Sequence, residues 1–336
     1  MHPVTLLTSL FFPLTAHGIT WGSLAPLPLA LGAHTTVLLS PTQLATVGGG
    51  LAGGGTTDAL LIYDIPNDMW SFGSPLPMAL NHPNAASING KIYLLGGLLG
   101  TAIQGRNAIA ECWVYDLHRD EWTALEPMPP GEARGSAAVG VNSDSGIIYL
   151  AGGVRGANRE TLDIVSAYDT VIGEWITPPP RARRMPAPRD HAGAATVGSE
   201  LYVVGGRDRM VLKDTVFVLD MDDVEGGWRE ETRKEAQMPT ARAGLAATAL
   251  EKRIYTFGGE GNEEVESGVF NQTEVFDVER GVWEKLGAMV VPLHGTSAVG
   301  VKGKSRGDGD GGVIYIPGGS VAEGERATNY FHSFYP

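Results

Sequence analysis

The residues whose types and spacing could do chemistry are three arginines and one acid–base pair. Arg189 and Arg242 each stand 16 residues before a glycine pair, Gly205-Gly206 and Gly258-Gly259, and Arg134 stands 18 before Gly152-Gly153. Guanidinium groups that converge would hold a carboxylate or another anion through bidentate hydrogen bonds. The competing reading is structural: each arginine packs along its own unit and pairs with a neighbouring carboxylate. Asp190-His191, next to Arg189, is the strongest acid–base candidate, because an imidazole titrates near neutral pH and can work with a carboxylate neighbour. Adjacent strand residues point to opposite faces, which argues against contact between these two side chains. His294 joins Asp190 and His191 as a catalytic candidate; an exposed loop histidine is the competing reading.

Other chemistries find less support. The eight histidines show no His-x-x-x-His spacing, and the single cysteine, Cys112, excludes an internal disulfide and a thiolate cluster. Cys112 sits in a strand-like run, Glu111 to Tyr115, where a buried, inert thiol is expected. The glycines from Gly48 to Gly55 lack a following Lys-Ser/Thr and a helix, so they read as turns and not as a phosphate loop. No metal and no cofactor are expected. A formal net charge of −13 repels a phosphate backbone, so nucleic acid is not an expected partner. Residues Val4 to Ala16 form an apolar run of 13, too short to span a bilayer, followed by the small-x-small pattern Ala16-His17-Gly18. Residues 1–18 therefore read as a signal peptide, with no transmembrane segment after it. Asn271-Gln272-Thr273 is a glycosylation acceptor, which agrees with export.

What positions such residues is a repeat. Glycine pairs after apolar runs recur at Gly48-Gly49, Gly96-Gly97, Gly152-Gly153, Gly205-Gly206, Gly258-Gly259 and Gly318-Gly319. The first five are each followed by an aromatic or leucine plus aspartate: Tyr63-Asp64, Tyr115-Asp116, Tyr168-Asp169, Leu219-Asp220 and Phe276-Asp277. A tryptophan comes next in each: Trp70, Trp122, Trp175, Trp228 and Trp283. Short alternating runs between turn signals predict four strands per unit and no long helix. A four-stranded meander cannot bury both faces alone, so such units stack radially, with the tryptophan filling the wedge between neighbours.

The glycine pair, Tyr-Asp, Trp and the turns Pro77-Met78, Met128-Pro129, Met185-Pro186 and Met238-Pro239 resemble the Kelch repeat over nearly the whole chain. The resemblance implies an all-β fold, a six-bladed Kelch-type β-propeller. Its blades are expected at about 32–73, 82–125, 134–177, 189–232, 242–286 and 294–336. The sixth unit has no tryptophan of its own, and the Trp21 to Pro28 segment mirrors Trp70 to Pro77, proline for proline. Residues 19–24 are therefore expected to supply the last blade's fourth strand, which closes the ring and removes an open edge. Kelch propellers usually bind partners at one mouth of the channel. That implies a ligand site drawn from Arg134, Arg189, Arg242, His82 and His294 before the first strands, and from Arg155, Arg207, Glu260 and Asn262 after the glycine pairs. Asn81 and Ser320 lie nearby. Ring symmetry would also let His34, His82, His191 and His294 meet around the channel. The run from Lys302 to Gly312 reads as a mobile loop, and Arg181 to Arg184 as part of an exposed connection between blades.

Two function classes follow. The first is a secreted, monomeric binding module that holds a small anion, a glycan or a peptide at the mouth. The second is a cofactor-independent enzyme, an isomerase, mutarotase, lyase or cyclase, working in the same mouth, by analogy with secreted Kelch mutarotases. A copper radical oxidase resembling galactose oxidase fits poorly, since that family implies seven blades and a cross-linked Tyr–Cys copper site. Cytosolic Kelch adaptors imply BTB or other partner domains, and none is expected in this sequence.

Overall fold

The computed structural model describes residues 19–100, 107–156, 160–304, 310–324 and 326–336. The signal peptide expected at 1–18 lies outside the described residues. The chain forms six four-stranded antiparallel sheets, arranged as the blades of a propeller. The innermost strands are Thr35–Ser40, Ala85–Ile88, Ala138–Asn142, Gly193–Val197, Ala246–Leu250 and Val299–Lys304. Small side chains dominate several of them, as crowding near an axis requires.

The last blade closes as the sequence implies. Strand Thr20–Ser23 pairs antiparallel with Phe331–Tyr335, placing Trp21 opposite Phe334. The Trp21 ring meets Phe334 at 4.9 Å and Phe257 of the neighbouring blade at 5.9 Å between centroids, so the N-terminal strand ties two blades together. Its edge-on geometry is one that aromatic pairs favour.

Each repeated residue has a physical task. The indole N–H groups of Trp70, Trp122, Trp175, Trp228 and Trp283 donate to the carbonyls of Ala25, Ser74, Glu126, Ala182 and Ala236, in segments leading from the preceding blade. The motif aspartates Asp64, Asp116, Asp169, Asp220 and Asp277 accept backbone N–H bonds in the turn after the third strand. At the glycine pair, Gly258 has φ of +57°, and a Cβ there would fall 2.0 Å from the Leu293 carbonyl oxygen of the next blade. Only glycine combines that backbone with that approach. Six apolar clusters hold the core, most drawing residues from two adjacent blades, as with Ile62 and Tyr115.

The Lys302 to Gly312 segment departs from its expected loop. Strands run out to Lys304 and in from Asp310, with Lys302 opposite Gly312 and Gly303 opposite Gly311. Residues 305–309, the middle of the expected loop, lie outside the described residues. Among the described residues, the helical element is the short turn Lys234–Ala236, and no helix is long and apolar enough to cross a membrane.

Candidate functional site

Each blade enters its innermost strand through a residue with positive φ: Ala33 (52°), His82 (48°), Ser136 (55°), His191 (52°), Gly244 (60°) and Gly295 (57°). These six positions are tied around the axis. The amides of His82, Ser136, Gly244, Gly295 and Ala33 donate to the carbonyls of Ala33, His82, His191, Gly244 and Gly295, at 2.6 to 3.1 Å. The sixth link runs from the His191 amide to Ser136 Oγ at 3.2 Å. A left-handed backbone costs a non-glycine residue roughly 1–2 kcal/mol, and it persists only where surroundings over-determine it. This closed girdle supplies that constraint. Ala33, His82, His191 and Gly295 line two cavities, a mouth of about 550 Å³ and the axial channel of about 930 Å³, so the girdle partitions them.

The turn at His191 overrides strand alternation. Asp190 is still paired with Arg207 in an isolated bridge, but the positive φ swings the His191 side chain back to it. His191 Nδ1 therefore lies 2.5 Å from Asp190 Oδ1, contrary to the expectation that the two point apart. His82 repeats the device, with Nδ1 2.6 Å from Asn81 Oδ1. The two imidazoles then meet across the mouth, Nε2 to Nε2, at 3.0 Å.

From Asp190 the network continues through neighbouring blades. Arg207 Nε donates to Asp190 Oδ1 at 3.0 Å and Nη1 to Glu260 Oε1 at 2.7 Å. Glu260 Oε2 faces His294 Nδ1 at 3.2 Å, and His294 Nε2 lies 2.8 Å from the Ala322 carbonyl. Thr161 Oγ1 donates to Asp190 Oδ2 at 2.9 Å. Burial disfavours the Asp190 charge, but the His191 imidazole and the Arg207 guanidinium outweigh it and hold the carboxyl below its usual range. Glu260 is likewise buried, yet His294, His191 and Arg207 hold it well below the usual range. Burial pushes the His294 imidazole down, and the facing Glu260 carboxylate reverses this and raises it above the ordinary 6.5.

Residues 20–206 and 145–336 match the domain described as KLHDC2/KLHL20/DRC7 Kelch-repeats. The chain belongs to the Kelch-repeat family. Kelch-like protein terF from Aspergillus terreus is 35% identical over 288 residues, covering 84% of this chain and 58% of that protein. Beta-scruin from Limulus polyphemus is 26% identical over 69% of this chain and 24% of its own length. The human Kelch repeat and BTB domain-containing protein 12 is 30% identical over 49% of this chain and 28% of its own. The chain thus spans less than two thirds of each of these relatives.

On this Kelch propeller the three arginines do not gather at the mouth. Arg134 and Arg242 are 0% exposed and Arg189 3%. Arg134 donates to the carbonyls of Glu132 and Leu150 and to Ser166 Oγ, Arg189 to Gly205 O and Thr215 Oγ1. Arg189 also stacks over Phe217, 4.5 Å from the ring centroid. Arg242 donates to Gly258 O, Thr240 O, Thr256 Oγ1 and Glu274 Oε2. They satisfy buried carbonyls of their own blades, which removes the basis for an anion site.

The other candidates divide. His82, Asp190, His191, Arg207, Glu260 and His294 come together, and Asn262 lines the same mouth. Arg155 instead pairs with Glu160 on the exterior. His34 borders the axial channel, but its imidazole is buried beside Gly318 and burial lowers its pKa to about 4. Among the described residues no group of three His, Cys, Asp or Glu is placed to hold a metal ion. Cys112 is buried and its thiol is pushed up to about 12 by burial, as an inert thiol should be. Asn271 is exposed, and Arg181, Arg183 and Arg184 are exposed as expected of a linker. Sequence reasoning passed over Thr161, Ser136 and Glu323. Ser136 was open to detection, because it occupies the position of His82 and His191 in the repeat.

Proposed function

We propose that this Kelch propeller is a binding module whose ligand enters the mouth and rests on the His82–His191 floor. The observation that carries this is a buried polar network shared by four blades at the base of a cavity of about 550 Å³, a size suited to small ligands or peptide side chains. Kelch domains bind proteins or peptides. The lining favours a ligand other than the expected anion. Arg207 is already met by Asp190 and Glu260, while Glu263, Glu266 and Glu323 line the mouth beside Met210, Leu212 and Val265. A peptide or small molecule with a cationic group and an apolar side meets both features. Calorimetric titration of the full chain with matched lysine- and glutamate-bearing peptides tests this. Lysine peptides should bind, more weakly to the double variant Glu263→Gln, Glu266→Gln. Preference for the glutamate peptides, or no binding of either, would overturn it.

A second reading, acid–base catalysis without a cofactor, is favoured by the Asp190–His191 contact. A buried carboxylate on Nδ1 orients the His191 imidazole, whose Nε2 meets His82 Nε2 at 3.0 Å at the base of the cavity, so an acid–base role would fall to the two imidazoles together. It predicts that Asp190→Asn abolishes turnover of any substrate found while binding survives.

Export is proposed on the Val4 to Ala16 run and the exposed Asn271 acceptor. A chain recovered from a eukaryotic host with its N-terminus intact and Asn271 unmodified would count against it.

A further inference from the structure

Blade six is completed by both ends of the described chain, and a buried imidazole lies against each of its faces. On the side of blade one, His34 is buried, and a Cβ added to Gly318 would fall 3.0 Å from its ring. The Gly319 amide, donating to Leu31 O at 2.7 Å, and the Ala33 amide, donating to Gly295 O at 2.6 Å, hold the same seam. On the side of blade five, His332 is buried with Phe334 against the Trp21 ring, which it meets edge-on at 6.3 Å between centroids. Its strand, Phe331–Tyr335, is the one that receives the N-terminal strand, and Ser23 stands opposite His332. Both rings are short of partners: neither nitrogen of His34 makes a hydrogen bond, nor does Nε2 of His332. Buried polar groups in that condition call for an explanation.

We propose that blade six is an acid-released latch, in which protonation of His34 and His332 loosens the seam to blade one and frees the N-terminal strand. Each imidazole fits its site only as a neutral group, since an imidazolium there is a buried charge without a counter-ion. The Pro317 carbonyl favours a proton on His34, but it already accepts from Thr296 Oγ1 at 2.6 Å. The Gly22 backbone acts in the same sense on His332. Among the described residues no carboxylate acts on either ring, and the titratable side chain facing His332 is the Tyr330 phenol. Burial outweighs both backbone groups, lowering His34 to about 4 and His332 below its ordinary 6.5. The axial channel borders His34 and gives protons a way in. An opened blade takes up these protons below pH 6.5, whereas the closed blade refuses one at His34 until about 4. Closure is therefore complete above 6.5 and weakens as pH falls, its opening constant rising up to roughly tenfold per pH unit for each imidazole released. His294 and Glu260, at the mouth end of this blade, do not cause that trend. The contribution of His294 is complete below 6.5, and that of Glu260 is complete above 4.5.

Hydrogen exchange of the full chain, read by mass spectrometry from about pH 7.5 to about 5 and corrected for intrinsic exchange, tests the latch. Protection of Thr20–Ser23 and Phe331–Tyr335 should fall at least about tenfold across that range, while Ile147–Ala151 in blade three keeps its protection. His34→Leu and His332→Phe, which carry no charge at any pH, should each lessen the fall, and together they should abolish it. His118→Gln, on an exposed turn, should leave it unchanged. Thermal melts establish that each variant folds; if His34→Leu does not, His332→Phe, which keeps a ring against Trp21, decides alone. Protection that stays flat in the wild type, or a fall that His332→Phe leaves intact, would overturn the latch. So would an equal loss in blade three, which marks unfolding of the whole ring.

Discussion

Arg242–Glu274 and Arg207–Glu260 are ion pairs of similar length, 2.5 and 2.7 Å, yet they do different work. The first lies within one blade with both side chains 0% exposed, and Arg242 spends its other donors on its own blade. The second joins two blades at the mouth with side chains 15% and 14% exposed, and it is one link in a chain of titratable groups. The same chemistry is scaffold when all partners share a blade, and site when the packing of neighbouring blades brings the partners together.

The largest effect should come from breaking the scaffold pair. Arg242→Ala leaves the buried Glu274 side chain without its ion-pair partner, and should cost about 3–5 kcal/mol in denaturant unfolding. A loss under about 1 kcal/mol would erase the distinction between the pairs. Trp21→Ala, which loosens the closure that assembles the mouth, should cost about 3 kcal/mol by the same measurement. An unchanged midpoint would mean that the N-terminal strand does not hold the ring. Arg207→Ala should cost less, about 1–2 kcal/mol, because water in the mouth reaches the orphaned carboxylates. It should nonetheless alter peptide affinity, whereas Arg242→Ala should act on affinity only through unfolding.

The smallest effect is one of pH and sharpens the comparison further. His294 is raised, so its contribution is complete below 6.5 and is lost as pH climbs through the higher folded value. Glu260 is lowered, so its contribution is complete above 4.5 and is lost as pH falls through the lower folded value. Arg207, His191 and Glu323 also act on this pair. Wild type should thus gain stability relative to Glu260→Gln mainly between pH 4.5 and 6.5. A wild-type advantage that does not shrink as the pH rises above 6.5 would contradict the pairing of His294 with Glu260.

The blade repeat was legible because its signals are local: a glycine pair, a turn-capping aspartate and a wedge-filling tryptophan each act within one unit and its neighbour. Trp21 was legible for the same reason, since it copies the setting of Trp70. The mouth was legible only as a set of positions. Arg134, Arg189 and Arg242 occupy equivalent places by spacing, but spacing does not say whether a long side chain reaches outward or turns back to a buried carbonyl. Asp190 and His191 were read as facing apart, since the pleat of a strand demands it.

From the residues themselves came the number of blades, the strand that completes the sixth, and the thiol's burial, all of which depend on short-range register and apolar content. The tertiary structure alone decided which polar groups meet. A left-handed turn at His82 and His191 is unfavourable in isolation, and it is stable only because six blades close a girdle of hydrogen bonds around the axis, five between backbone groups and one to Ser136 Oγ. That constraint exists only once the ring is complete, and no segment of chain carries it alone.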